Sequence, residues 1–175
     1  MVGERERAFI QMFGRLDELE VAVLGLLSRN GDLFKYLMFP DRDPLSHGIT
    51  AGDIAALCDE ESAGCRVFFE PFVESALTTH TAMLRVYPCQ LDPVDVYEGD
   101  LFLQVDVIVH QGISRIAGGR RRNRILAEVL RSLNGQAVGL AQRLRLLDRP
   151  AVLQQFKGDY WGWSVLFKCG AAGDG

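Results

Sequence analysis

Leu101-Phe102-Leu103-Gln104-Val105-Asp106-Val107-Ile108-Val109-His110 is the stretch on which the fold turns. Successive side chains of an extended chain point to opposite sides, so Leu101, Leu103, Val105, Val107 and Val109 share one face. Gln104, Asp106 and His110 share the other. One apolar and one polar face predict a half-buried antiparallel strand whose second side is wet or turned to a partner. The same alternation recurs at 143–147, at 152–157 and in YWGWSVLFKC (Tyr160–Cys169), where Trp161, Trp163, Val165 and Phe167 align. Weaker strands are expected at Arg66–Phe72, where Pro71 interrupts, and at Ala82–Tyr87, which Pro88 should limit.

Around these strands the period changes to that of helices. Phe9, Leu16 and Val23 recur every seven residues, as do Met12, Leu19 and Leu26, with Phe13 and Leu27 widening the seam. Asn30-Gly31 should close this helix, since glycine readily takes the left-handed conformation of a C-terminal cap. A short helix from Asp32 to Phe39 runs into Pro40, and a polar loop follows to Thr50. Thr50 or Asp53 should cap another helix through Leu57. From about Arg120 to Leu133, Ile125, Leu126, Val129, Leu130 and Leu133 form a stripe, and Asn134-Gly135 ends it. Strands joined by short connections predict an α+β fold: a mainly antiparallel sheet with helices packed on one face, plus a long N-terminal helix. With no linker or repeat in view, residues 1–170 should form one domain and 171–175 a mobile tail.

Composition narrows the function. Of 175 residues, 48% are hydrophobic and 24% charged, enough for a core without disulfides or a metal. The four cysteines (Cys58, Cys65, Cys89, Cys169) have no zinc-ligand spacing and are expected as free thiols in or near the core. The net charge of -4 disfavours a dedicated nucleic-acid binder. The sequence offers neither an apolar run of about 20 residues, the length that spans a membrane, nor a signal-peptide pattern, so a cytoplasmic origin is expected.

Catalytic patterns are absent. His47, His80 and His110 are isolated from one another in sequence, so no metal site is expected. The acidic groups at Asp17, Glu18 and Glu20, at Asp59, Glu60 and Glu61, and from Asp92 to Asp100 read as a solvated helix face and two loops. No nucleophile elbow, phosphate-binding lysine loop or dinucleotide fingerprint occurs, so neither an enzyme nor a cofactor is expected. The sharpest local feature is GGRRRNR (Gly118–Arg124), which puts Arg120, Arg121, Arg122 and Arg124 at a helix start. Cations there are mildly unfavourable, so the cluster is either a solvated basic turn or a contact for nucleic-acid backbone or an acidic protein.

Two stretches resemble the tail-terminator and neck proteins of long-tailed bacteriophages. One is NGDLFKYLMFPDRDPLSHGI (Asn30–Ile49). The other runs from LRVYPCQLDP (Leu84–Pro93) through the strand at 101–110 and ILAEVLRSLNGQ (Ile125–Gln136) to YWGWSVLF (Tyr160–Phe167). The resemblance lies in the layout of strand, basic-started helix ending in Leu-Asn-Gly, and paired strands. It implies a virion structural protein forming a ring, usually a hexamer, that caps the tail tube and joins the head-side connector. The implied partners are further copies of the chain, the tail-tube protein, the connector and DNA passing through the lumen, with no membrane. A head-completion or stopper protein docking on the portal is the nearest alternative. A small ligand-binding domain or enzyme using the acidic loop, or a nucleic-acid-associated regulator, are alternatives of another class. Phe102, Ile108, Tyr160 and Leu166, on the second faces of their strands, would suit burial against neighbouring subunits.

Overall fold

The computed structural model describes residues 4–71, 80–93, 99–138, 142–148 and 151–171; side chains are described from Leu16 onward, without those of 91–99, 142, 170 and 171. The fold is α+β, with four helices on a mixed sheet. The helices are α1 (Glu4–Leu27), α2 (Gly31–Met38), α3 (Ala51–Cys58) and α4 (Arg121–Leu133). The main sheet comprises β1 (Val67–Phe68), β2 (Ala82–Pro93), β3 (Gly99–His110), β6 (Gln142–Leu146), β7 (Val152–Lys157) and β8 (Tyr160–Ala171). A separate two-stranded ribbon pairs β4 (Arg115–Ile116) with β5 (Gly119–Arg120). In the main sheet the order is β1-β2-β3-β8, and β6 and β7 share the far edge of β8. All its pairings are antiparallel except β1 with β2, which is parallel and makes the sheet mixed.

One face carries the core. Leu84 lies opposite Val107, Val86 opposite Val105, and Leu103 opposite Phe167, so each cross-strand pair adds to one apolar layer. Leu19, Val23 and Leu27 of α1, Leu33, Phe34 and Leu37 of α2, and Ile125, Val129 and Leu133 of α4 pack on that layer. Fully burying one such side chain stabilises by about 1.5–3 kcal/mol. The buried α1 row is spaced by four, not seven, because this end of α1 packs against α4 and the core. The rest of the expected seam, at Phe9, Met12 and Phe13, lies outside the described side chains.

Several local expectations change. Asn30-Gly31 does not close α1; Asn30 caps the start of α2, its side chain accepting from the Leu33 amide at 3.1 Å. The same side chain donates to Glu128 and Ser132, tying α2 to α4. Thr50 caps α3 with Asp53 completing a capping box. Asn134-Gly135 ends α4, with Gly135 at φ 77°. Pro88 does not stop β2, because the register shifts between Pro88 and Gln90 and a bulge tolerates a residue without an amide hydrogen. β1 is far shorter than Arg66–Phe72: the Phe69 amide is taken by Glu60 at 2.9 Å, and Pro71 has no amide to offer. Phe72 lies outside the described residues. β8 extends to Ala171, so the tail expected at 171–175 begins within a strand, and 172–175 lie outside the described residues.

The second face of β3 is neither wet nor open to a neighbouring subunit at Asp106 and Ile108, though Phe102, Gln104 and His110 on it are half-buried. Asp106 and Ile108 are buried, as is Tyr160 on β8. The cause is β7, whose register shifts between Gln155 and Lys157. Phe156, the extra residue, packs with Cys65, Phe68, Met83, Ile108 and Tyr160 and stacks 5.0 Å from the Arg85 guanidinium. β7 and β2 are separated by β3 and β8, so this contact reaches across the second face of the sheet. On β8, Gly162 lies so close to β3 that a Cβ there would fall 1.6 Å from the Val107 carbonyl oxygen.

Candidate anion-binding site

The site begins with a buried arginine. Arg121 lies one turn before Ile125, so it continues the buried row Ile125, Val129, Leu133 and is itself fully buried. Its Nε donates to the Ile113 carbonyl at 2.9 Å and its Nη1 to the Tyr36 carbonyl at 2.8 Å. Nη1 also donates to the Phe39 carbonyl, and Nη2 to the Asp41 carbonyl. These acceptors include the orphan carbonyls at the C-terminus of α2, where a cation complements the helix dipole. Burial pulls the Arg121 pKa down, and the charges of Asp41 and Tyr36 push it back up. An arginine with carbonyls on three nitrogens stays charged. The residue is thus a clamp fastening the 39–41 segment to the start of α4.

That clamp shapes an open depression of about 590 Å³ lined by Arg42, Arg115, Ile116, Ala117, Gly119 and Arg120. The ribbon β4–β5 forms one wall, and its tight turn needs glycine: Gly118 and Gly119 sit at φ 78° and 152°. The Ala117 amide donates to the Arg42 carbonyl at 2.7 Å, and the Arg121 amide to the Ser114 carbonyl at 2.8 Å, fixing both walls together. Arg42, Arg115 and Arg120 are exposed, and none pairs with a carboxylate among the described residues. Asp41, the nearest acid in sequence to Arg42, is engaged elsewhere. Its carboxylate meets the His47 ring at 2.7 Å and the Asp43 amide at 2.8 Å. Desolvation is the largest single influence and pushes the Asp41 pKa up, but the Asp43 amide and the His47 ring together hold the carboxyl below its usual pKa. The lining offers three guanidinium groups; the chemistry it supports is the binding of anions.

The expected arginine cluster therefore splits. Arg120 lines the depression, and Arg124 stands exposed beside it, donating to the Gly118 carbonyl at 3.2 Å. Arg122 is half-buried, its Nε without a partner. Arg121 is sealed inside and offers no surface to a partner. Sequence reasoning missed Arg42 and Arg115. Arg115 lies three residues before Gly118, just ahead of the basic cluster, whereas Arg42 between Asp41 and Asp43 reads as neutralised.

Two other polar clusters lie outside this depression. On the second face of the sheet, Asp106 accepts from Arg85 at 2.7 Å, Gln104 at 2.9 Å, Tyr87 at 3.2 Å and Ser164 at 2.5 Å. Burial, then the Asp106 charge, push the Tyr87 hydroxyl up to about 12. Every lone pair of this carboxylate is engaged and Asp106 is fully buried, so the network holds β2, β3 and β8 together. At the end of β3, the His80 and His110 rings stack 4.0 Å apart, with Tyr160 edge-on to His110 at 5.0 Å. The Gly112 amide donates to His110 Nδ1 at 3.0 Å, which sets the neutral ring with its proton on Nε2. Among the described residues no three His, Cys, Asp or Glu side chains are grouped to hold a metal ion. No helix of the described residues is long and apolar enough to cross a membrane. None of the four cysteines is joined in a disulfide, and Cys89, contrary to expectation, is exposed rather than in the core. In comparison with family models, curated proteins and solved structures, nothing matches the chain.

Proposed function

We propose that the chain is a structural subunit that acts by assembling with copies of itself, without catalysis or cofactor. The observation that carries this reading is the edge strand β7. It pairs with β8 along one side, and no described strand pairs with its other side. Val152 and Leu153 are consecutive and therefore point to opposite faces, yet they are 52% and 43% exposed. Lys157 and the bulge at Phe156 blunt the far end of this edge, whereas its first two residues are uncharged and apolar on both faces, which suits pairing with another chain. Leu146 on neighbouring β6 and Trp161 on β8 extend the apolar border.

Within that class, the resemblance of layout favours the neck of a tailed-phage virion. The chain would be a tail terminator whose ring, a hexamer, caps the tail tube and meets the head-side connector. A long N-terminal helix carrying Phe9, Met12 and Leu16 would supply a second docking element for those neighbours. The test has two parts. Sedimentation velocity of the wild type should show a closed homo-oligomer, and Leu153→Lys should return it to monomer; a wild-type monomer sinks the reading. Deleting the gene from the phage that carries it should leave over-long tubes. Filled heads that leak DNA would instead assign the stopper role at the portal.

A further inference from the structure

We infer that the depression walled by Arg42, Arg115 and Arg120 binds the phosphodiester backbone of nucleic acid. The inference deepens the assembly reading, on which it rests for the choice of duplex DNA as the partner. Three guanidinium groups, from segments more than seventy positions apart in the chain, converge on one concave surface of a protein whose net charge is -4. Like charges gathered without a counter-charge repel, so a fold gains nothing from the arrangement by itself. Here the arrangement is nevertheless rigidly built. Arg121 fastens the segment bearing Arg42, and the Ala117–Arg42 backbone bond locks it to the ribbon bearing Arg115 and Arg120. The acids flanking Arg42 leave the site open: Asp41 is held by His47, and Asp43 is absent from the lining.

The shape and donor type favour phosphate over carboxylate partners. The depression is open, a surface along which a continuous charged chain can lie, whereas an acidic protein would have to match three arginines with separately placed side chains. All the cationic side chains in the lining are arginines, whose planar fork engages phosphate oxygens in pairs, and Arg124 extends the patch beside the turn. The lining offers no means of reading base edges, so binding should be independent of sequence.

The test is fluorescence anisotropy of the intact protein with a labelled random-sequence DNA duplex, repeated from about 50 to about 200 mM salt. Three phosphate contacts give a log–log slope near -2.7 per engaged chain, an affinity loss of about 40-fold across that range. Arg42→Ala with Arg115→Ala should weaken binding at least about tenfold and flatten the slope by about 2, while Arg131→Ala, an exposed arginine on α4 held by Glu128, should change neither. Both substituted side chains are exposed, and circular dichroism checks that the fold survives. Wild-type protein that ignores DNA at low salt, a double variant that binds like wild type, or preferential binding of polyglutamate each overturns the inference. The two proposals fail separately: DNA binding that survives Leu153→Lys in a monomer supports the site alone. A stable oligomer that ignores DNA removes the site and leaves the assembly.

Discussion

The Nη2 of Arg121 donates to the main-chain carbonyl of Asp41, a residue 80 positions earlier. This bond joins the end of α2 to the start of α4 and decides which arginines face outward. A side chain that would be unfavourable at the start of its own helix is favourable at the end of another, because the carbonyls there carry the opposite partial charge.

Replacing Arg121 tests that account. Arg121→Met fills similar space but leaves the carbonyls of Ile113, Tyr36, Phe39 and Asp41 without their donor. A buried acceptor left unsatisfied costs about 1–3 kcal/mol, so the variant should lose at least about 3 kcal/mol in urea unfolding. Arg121→Lys should recover only part of this, since one ammonium cannot reproduce the fork.

The Asp106 network predicts strong coupling. Arg85 lies directly across from Asp106 on the neighbouring strand, and Asp106 is fully buried. Asp106→Ala should cost about 3–5 kcal/mol because it strands a largely buried guanidinium. The double variant Asp106→Leu with Arg85→Met should be far closer to wild type than the sum of single losses. Additive losses in that double-mutant cycle would contradict the shared-network account.

Gly162 should tolerate no side chain. The obstacle to a Cβ is the backbone at Val107, which has no rotamer to change. Gly162→Ala should lower the melting temperature by more than about 10 °C or abolish soluble expression, given that about 1 kcal/mol moves a domain of this size by about 2–4 °C.

Stability should fall in mild acid through His110. Desolvation, then the neighbouring His80, hold its pKa below the ordinary 6.5, while Asp159 pulls the other way. The unfolded chain therefore binds the proton first. The contribution of His110 is intact above about pH 6.5 and is lost as pH falls toward the folded-state value. Urea midpoints measured from about pH 8 to about pH 5 should drop through this window, and His110→Gln should flatten that part of the profile.

The sequence by itself determined much of the scaffold. The period-2 run at 101–110 placed β3 and its core face, and the stripe from Ile125 to Leu133 with Asn134-Gly135 bounded α4. Those patterns are local, and each follows from which side chains one element can place on one face. Only the tertiary structure decided the rest. Arg121 reads from sequence as one member of an exposed basic cluster, and only the packing of α4 on the core and on the end of α2 buries it. The second face of β3 reads as wet or turned to a partner because no local pattern reveals that β7 bulges at Phe156 and sets its ring against Arg85. Arg42 reads as one charge between two acids until His47 removes Asp41 and the ribbon brings up Arg115. Both outcomes depend on contacts between residues far apart in the chain, where neither propensity nor periodicity carries a signal.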